Sequence, residues 1–151
     1  MKIQKKKTAK EYCIYLLSRK DYAKKEIVGK LKEKSFSDEE IAEAISFLEV
    51  KKYIDDEKYA LIYFKYLIGR HKSLKEIEFK LKNKGFDQML IREILSDPGA
   101  KLLEKEGLIA KITSLNRKNQ HKDKNQLISY FLRKGFSYSM VVESLDQYYE
   151  Y

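Results

Sequence analysis

The sequence is poor in the residues that build turn-rich, disulfide-linked or membrane-spanning proteins. Its 151 residues include one proline, six glycines, one cysteine and no tryptophan. So few turn-forming residues argue against a many-stranded fold, and Cys13 alone cannot form an internal disulfide. No run approaches the roughly 18 apolar residues that span a bilayer, and no apolar stretch of the kind found in secretion signals follows the basic start. We therefore expect an all-α protein of the cytoplasm, without a membrane.

Motifs for catalysis or cofactor binding are missing as well. The sequence contains no glycine-rich phosphate loop, no G-x-G-x-x-G fingerprint, no cysteine pair and no H-E-x-x-H pattern. The histidines, His71 and His121, occupy the same place in successive segments, where solvated connections explain them better than a metal does. Cys13 lies on an apolar stripe and is better explained as a buried small side chain than as a nucleophile. We predict no catalytic site, no metal and no cofactor.

What the chain does contain is one pattern written three times at a period of fifty residues. The pattern of repeat one is Ile27, Leu31, Lys34 and Phe36, which returns as Ile77, Leu81, Lys84 and Phe86, and again as Leu127, Phe131, Lys134 and Phe136. A strict period of this size marks supersecondary units that stack into a shared core. We predict three three-helix repeats, over residues 1–53, 54–97 and 98–151, in an elongated, curved and monomeric array.

The first helix of each repeat is predicted from apolar residues at helical spacing. In repeat one these are Ala9, Tyr12, Cys13, Leu16 and Leu17. At the fifty-residue period the corresponding face of repeat two is Tyr59, Ile62, Tyr63, Tyr66 and Leu67. In repeat three the match decays to Ile109, Ile112, Thr113, Asn116 and Arg117. There Asp97 and Pro98 have the pattern of an N-cap and a first helical residue, and they predict a long helix through about Asn119.

Helix ends are marked by capping pairs and by glycines. The capping pairs are Thr8 with Glu11, Ser37 with Glu40, Ser73 with Glu76, and Asp123 with Gln126. Gly85 and Gly135 follow the second helices, where a left-handed backbone costs glycine least. Ser35 stands at that place in repeat one, so its helix end should be strained or differently capped.

Charge is sorted by helix within each repeat. The net charge is +9, yet residues 17–34, 67–84 and 117–134, which span the second helices, carry +4, +4 and +5. Residues 37–50 contain five acids and no lysine or arginine, and residues 137–151 contain three acids and none. A basic stripe repeated along an array fits a polyanion such as a nucleic-acid backbone or a nucleoprotein filament. The alternative is that lysine-rich helices only keep the protein soluble.

The connection between repeats one and two carries two adjacent acids. Either Asp55 or Asp56 can cap the next helix, with Asp56 the favoured cap, and Glu57 suits its first turn. Two carboxylates beside Tyr53 also form a candidate edge for recognising a partner protein.

Several short motifs, in order, resemble the bacterial RecX regulatory proteins. The tract from Tyr53 to Ala60, a tyrosine and a hydrophobe before paired acids and then an aromatic-alanine, is similar to that family's most recognisable motif. Residues 16–27 and 30–36 resemble its first repeat, and residues 73–77 with 81–86 continue it. The chain departs from the family pattern at Ala23, where serine is common, and at Ser35, where glycine is usual.

The resemblance implies tandem three-helix repeats without catalysis that bind the RecA recombinase, usually as a filament on DNA, and restrain its ATPase, recombinase and coprotease activities in DNA repair and the SOS response. The runner-up is a direct nucleic-acid-binding regulator with helix-turn-helix-like modules. Asp55 and Asp56 are the candidate partner-binding residues. The candidate residues for binding nucleic acid or the filament are Arg19, Lys20, Lys24, Lys25, Lys32, Lys34, Arg70, Lys72, Lys75, Lys82, Lys84, Lys118, Lys122, Lys124, Arg133 and Lys134.

Overall fold

The computed structural model describes residues 6–118 and 123–149, and this part of the chain is helical without strands. The helices come in three consecutive sets of three. They are α1 (Ala9–Leu17), α2 (Lys24–Glu33), α3 (Asp38–Val50), α4 (Asp56–Gly69), α5 (Leu74–Lys84), α6 (Gln88–Ser96), α7 (Pro98–Arg117), α8 (Lys124–Arg133) and α9 (Tyr138–Tyr149). The prediction of an all-α chain of three-helix groups is confirmed. No helix within the described residues is long and apolar enough to cross a bilayer.

The described residues form two compact units. The first unit runs to Ala60 and also includes Lys84–Phe86, and the second holds Leu61–Asn83 and the described residues from Asp87 onward. In the first unit, α3 packs against both α1 and α2. Its core is Ala9, Cys13, Ile27, Leu31, Ile41, Ala44, Ile45, Leu48 and Ile54. The boundaries predicted for three separate repeats, 1–53, 54–97 and 98–151, stay a prediction.

The second unit contains a core of the same kind. Here α9 packs against α7 and α8. The buried cluster is Leu108, Ile112, Leu127, Phe131, Phe136, Met140, Val141 and Leu145. The repeated apolar positions of the second helices are buried throughout: Ile27, Leu31, Ile77, Leu81 and Phe131 are inaccessible to solvent, and Leu127 is nearly so. The fifty-residue period therefore predicted this face correctly.

The predicted helix starts are confirmed at atomic detail. Capping boxes form at Thr8 with Glu11, at Ser37 with Glu40 and at Asp123 with Gln126. The Asp97 carboxylate accepts a hydrogen bond of 2.7 Å from the Gly99 N–H and opens α7 with Pro98 in its first turn. The described part of α7 ends at Arg117, and Asn119 lies outside the described residues.

The glycines after the second helices meet two requirements at once. Gly85 and Gly135 have φ of 87° and 97°, in the left-handed region. A Cβ at Gly85 would also lie 2.8 Å from Lys25 Cβ at the start of α2, and one at Gly135 would lie 2.6 Å from Ser73 Oγ at the start of α5. Ser35 adopts the same conformation, with φ 62°, but is exposed. The predicted strain is therefore present at Ser35, in the backbone alone.

The predicted core face of α4 is wrong in part: Leu67 is buried as expected and Tyr59 and Tyr63 are partly buried, but the other two residues are exposed. Ile62 and Tyr66 are 49% and 56% exposed, whereas Ala60, Phe64, Leu67 and Ile68 are buried. Ala60, Phe64 and Leu67 follow Ala9, Cys13 and Leu16 by 51 residues, not fifty. One added residue turns a helix by about 100°, which is enough to exchange the faces. Since α4 is apolar nearly all round, its composition did not reveal the change in register.

The predicted face of α7 is also wrong in part. Ile112 is buried as expected, but Ile109 and Arg117 are exposed. The buried residues of this helix begin earlier in the chain and are Ala100, Glu104, Gly107, Leu108 and Ile112. Because α7 starts directly after Asp97 and is 20 residues long, its first turns extend beyond the 9 residues of α1 and add buried contacts of their own.

Candidate nucleic-acid and partner interface

Most basic side chains predicted for the interface are exposed around the second helices, α2, α5 and α8. Exposed near α2 are Arg19, Lys20, Lys24, Lys25, Lys32 and Lys34. Exposed near α5 and α8 are Arg70, Lys75, Lys82, Lys118, Lys124, Arg133 and Lys134, while Lys72 and Lys84 are partly buried. Lys122 lies outside the described residues. The second helices therefore do present positive charge to solvent.

A smaller set of these lysines is already paired with carboxylates. Lys24 Nζ lies 2.6 Å from Glu49 Oε1, Lys72 Nζ lies 3.2 Å from Glu76, and Lys82 Nζ lies 2.6 Å from Glu78. Lys124 pairs with Asp146, which raises the pKa of this lysine. Exposed pairs of this kind are weak, because water and salt screen the attraction between the charges. Lys25, Lys32, Lys75 and Arg133 form no ion pair with another described residue, so they are the more available cations.

Acids of the third helices α3 and α9 form ion pairs with lysines of neighbouring helices. Glu49 of α3 pairs with Lys24 of α2, and Asp146 of α9 pairs with Lys124 of α8. Another α3 acid, Glu43, pairs with Lys10 of α1 at 2.9 Å. Each of these three lysines is therefore balanced locally by an acid of a third helix.

Lys84 is partly buried in the first unit. Its Nζ lies 3.3 Å from Glu26 Oε1, and both side chains are about three-quarters buried. Burial acts to lower the pKa of Lys84, but hydrogen bonds with Tyr59 and Glu26 outweigh it, and the pKa is raised. Removing one partner of such a pair leaves a desolvated charge. Lys84 is better explained as a structural cation than as a contact for nucleic acid.

Lys111 is a basic residue of the second unit that the sequence patterns missed. It lies on α7, partly buried, with its Nζ 5.8 Å from the centre of the Phe136 ring. Burial lowers its pKa, and repulsion from Lys72 and Lys134 lowers it further against the attraction of Glu76. Three lysines that repel one another around one carboxylate form a local excess of positive charge. Sequence offered no signal, because the helix carries no basic run.

The two acids in the connection to α4 have separate roles. Asp55 Oδ1 accepts a hydrogen bond of 3.1 Å from the Lys58 N–H, so Asp55 caps α4. Asp56, the favoured cap from the sequence, is instead the first residue of α4, and its Oδ1 accepts a 2.9 Å hydrogen bond from the Lys24 N–H. Burial raises the pKa of Asp56 despite that hydrogen bond. Asp56 therefore faces α2, and Asp55 remains the exposed one of the pair.

Glu104 forms the same contact in the second unit, and the sequence patterns missed it. This buried residue of α7 accepts a 2.8 Å hydrogen bond at Oε1 from the N–H of Leu74, the first residue of α5. Burial raises its pKa as well. An acid at helical spacing between Ala100 and Leu108 was the available signal, since an acid within an apolar stripe needs a buried partner.

No group of three or more metal-ligating side chains occurs in residues 6–118 and 123–149. His71 is exposed in the turn between α4 and α5, and its backbone closely approaches the buried Gly107. His121 lies outside the described residues. Cys13 is fully buried, as expected, and burial raises the pKa of its thiol to about 11. A neutral, enclosed thiol is a poor nucleophile.

Comparison with known proteins shows which family this chain is similar to. Residues 9–48 match the model of the first three-helix domain of RecX. The chain is 31% identical over 142 residues to the regulatory protein RecX of Caldanaerobacter subterraneus, covering 93% of this chain and 70% of that protein. It is 30% identical over 128 residues to the regulatory protein RecX of Haemophilus influenzae strain PittEE, covering 83% of this chain and 84% of that protein.

Solved structures share the fold. The crystal structure of RecX from Lactobacillus salivarius superposes with a TM-score of 0.79 over 92% of this chain and 93% of that one. A second crystal structure of a regulatory protein RecX gives 0.76 over 91% of this chain and 70% of that one. Both are 24% identical to this chain, so the likeness carries the helical architecture.

Proposed function

This chain belongs to the RecX family of regulatory proteins, and we propose that it binds the RecA recombinase, chiefly as the RecA–DNA filament, and inhibits the filament's ATPase, recombinase and coprotease activities. In this proposal it modulates DNA repair and the SOS response as a monomer. It needs no cofactor and performs no catalysis of its own.

The observation that carries this proposal is the repeated exposure of basic residues on the second helices. Lys25 and Lys75 occupy equivalent places at the starts of α2 and α5, fifty residues apart, and both are exposed. A filament on DNA is itself a repeating polyanion with protein subunits around it. Repeated cations at matched positions suit such a target better than a compact substrate would.

A contact with protein subunits is supported by the acids. Asp55 is exposed two residues after the exposed Tyr53, and Glu57 is exposed two residues further along the chain. We assign this edge to basic groups of RecA that face away from the DNA. Asp56 contributes to this edge only indirectly, by fixing the position of α4. Its carboxylate accepts a hydrogen bond from the N-terminus of α2 and so does not contact RecA itself.

The test is RecA ATPase on single-stranded DNA, measured with and without this protein. We expect turnover to fall at substoichiometric amounts, because one molecule bound in or at the end of a filament affects many subunits. Incubation with ATP alone is the control, and this protein should hydrolyse none. Asp55→Ala tests the acidic edge, with its folding checked by circular dichroism, and should weaken inhibition.

The alternative is a direct nucleic-acid-binding regulator with helix-turn-helix-like modules. Tight binding of naked duplex with base-sequence preference, together with unchanged RecA ATPase, would establish that alternative and end the filament proposal. Inhibition that persists in Asp55→Ala at full strength would leave RecA as the target but remove the acidic edge from the interface.

A further inference from the structure

Tyr15 on α1 presents an aromatic ring to solvent in a basic setting. Its side chain is 41% exposed, and its ring stacks on Tyr12 with 6.4 Å between centroids and 24° between planes. Arg19 Nη1 donates a 2.7 Å hydrogen bond to the Tyr15 hydroxyl, which places the guanidinium towards the hydroxyl end of the ring. Lys7 Nζ lies 4.3 Å from the ring centre. The ring is thus oriented by its neighbours and surrounded by positive charge.

The second unit repeats this arrangement 51 residues later. Tyr66 on α4 is 56% exposed and stacks on Tyr63, with 6.4 Å between centroids and 11° between planes. Arg70, just beyond the helix end, lies with Cζ 5.7 Å from the Tyr66 ring centre, the same distance that separates Arg19 from Tyr15. The 51-residue offset is the one that relates the buried faces of α1 and α4. The two motifs therefore occupy the same place on corresponding helices.

We propose that Tyr15 with Arg19, and Tyr66 with Arg70, are two binding sites for unpaired nucleobases through which the protein contacts single-stranded DNA directly. In each site the tyrosine ring stacks on a base and the arginine contacts the adjacent phosphate. The proposal rests on the proposed function for the choice of DNA as the polymer. Helix α7, the first helix of the third set, contains no aromatic residue and so carries no such site.

The chemistry favours a single strand over a duplex or a protein surface. Every base has a π-face, but in a duplex those faces are covered by neighbouring base pairs, so an exposed tyrosine stacks only on an unpaired base. Pre-stacking on Tyr12 or Tyr63 limits the motion of each ring and reduces the entropy lost on binding. Cations next to the ring supply the phosphate contacts that single-strand sites combine with stacking. An apolar protein partner would leave Arg19 and Arg70 desolvated without an anion.

The test measures binding of the full chain to two fluorescent oligomers of equal length and charge, oligo(dT) and an abasic deoxyribose-phosphate strand, without RecA. We expect wild type to prefer oligo(dT). Tyr15→Leu and Tyr66→Leu should each weaken oligo(dT) binding on the order of 5- to 100-fold, the effect of one lost base stack, and leave abasic binding unchanged. Tyr15→Phe and Tyr66→Phe should retain the preference. The matched control is Tyr138→Leu, which should bind as wild type, because Tyr138 is 63% exposed but has no arginine partner among the described residues.

Tryptophan fluorescence provides a second measurement that does not require a leucine variant to fold. The chain has no tryptophan, so Tyr66→Trp introduces a single tryptophan reporter that preserves stacking. Its emission should be quenched by oligo(dT) but not by the abasic strand. Equal affinity of wild type for the two strands, or equal quenching by them, overturns the proposal.

The outcomes separate this inference from the proposed function. If wild type inhibits RecA but the leucine variants still bind oligo(dT) normally, the proposed base sites are wrong and the regulatory role stands. Tyrosine-dependent binding of oligo(dT) by a protein that never affects RecA ATPase retains the base sites and removes the regulatory role.

Discussion

Asp56 caps a helix that is not its own: the carboxylate of this first residue of α4 accepts a 2.9 Å hydrogen bond from the N–H of Lys24, the first residue of α2. The N-cap of α2 is Ala23, which has no side-chain acceptor. Glu104 of α7 makes the equivalent bond to Leu74, the first residue of α5. In both units an acid from the following first helix thus completes the start of a second helix, where the helix dipole favours negative charge.

Asp56→Ala should lower the free energy of unfolding by about 0.5–2 kcal/mol, the cost of a lost helix cap. Asp56→Asn keeps an oxygen acceptor for the Lys24 N–H and should cost less. Urea denaturation followed by far-UV circular dichroism measures both. Equal losses in the two variants would show that the charge of Asp56, and not its acceptor, supports α2.

The pH dependence of stability should identify Asp56 as well. Burial raises its pKa above the usual value of 3.8, so the folded protein retains this proton to a higher pH than the unfolded chain does. Its contribution to stability is therefore full below pH 3.8 and declines as pH rises through the folded pKa. Asp56→Asn should remove this decline from the pH profile of urea unfolding, whereas substitution of the exposed Asp55 should not.

Gly85→Ala and Gly135→Ala should destabilise the protein by more than the about 1–2 kcal/mol that a left-handed backbone costs, since the new Cβ atoms would also press on Lys25 and Ser73. Ser35→Gly, at the matching exposed position, should stabilise by about 0.5–1 kcal/mol, because relief of backbone strain exceeds the entropy that glycine adds to the unfolded state. Thermal unfolding of the three variants provides the comparison. An alanine variant as stable as wild type would mean that these helix ends are not in close contact.

Ala23→Ser should stabilise the first unit by about 0.5–2 kcal/mol, the range measured for N-cap side chains. In the second unit the buried Ser73 hydroxyl accepts from the Glu76 N–H and donates a 2.7 Å hydrogen bond to the Lys134 carbonyl, which links α5 to the end of α8. Ser73→Ala should accordingly destabilise by about 1–3 kcal/mol. Urea midpoints test both changes, and a less stable Ala23→Ser would reveal a hydroxyl left without partners.

Lys25→Gln and Lys75→Gln should each weaken binding to single-stranded DNA or to the RecA–DNA filament. If each lysine neutralises one phosphate, the slope of log K against log salt concentration should fall by about 0.7–0.9 per substitution. Lys51→Gln is the control, because it makes the same charge change at an exposed residue beyond α3. Identical effects at all three lysines would mean that net charge, and not the second helices, governs binding.

Cys13 should react with a thiol reagent only when the core opens. The side chain is fully buried and its pKa is raised to about 11, so thiolate is scarce in the folded state. Reaction with a chromogenic disulfide at neutral pH should be slow in native protein and fast in denaturant. Rapid labelling of the native chain would show that α1 detaches from α3 far more often than this core suggests.

The sequence by itself determined the helices, most of their caps and the repeated core of the second helices. These features depend on neighbours within one or two turns, so a periodic apolar pattern, a capping pair or a glycine after a helix is sufficient to predict them. For the same reason Ser35 was expected to leave its helix end strained or differently capped, and its φ of 62° shows the strain. The motifs around Asp55 and Asp56 also indicated the family from sequence alone, before their structural roles were known.

Tertiary structure decided which face of α4 and α7 is buried and what the polar residues near the helix starts do. Helix α4 is apolar on several sides, so packing against its neighbours selects Phe64 for the core and leaves Tyr66 in solvent. The hydrogen bonds that the N–H groups of Lys24 and Leu74 donate to Asp56 and Glu104 join residues 32 and 30 positions apart. The free N–H groups at a helix N-terminus can donate to any acceptor that the tertiary structure places nearby. The local sequence therefore does not reveal a partner so far away in the chain.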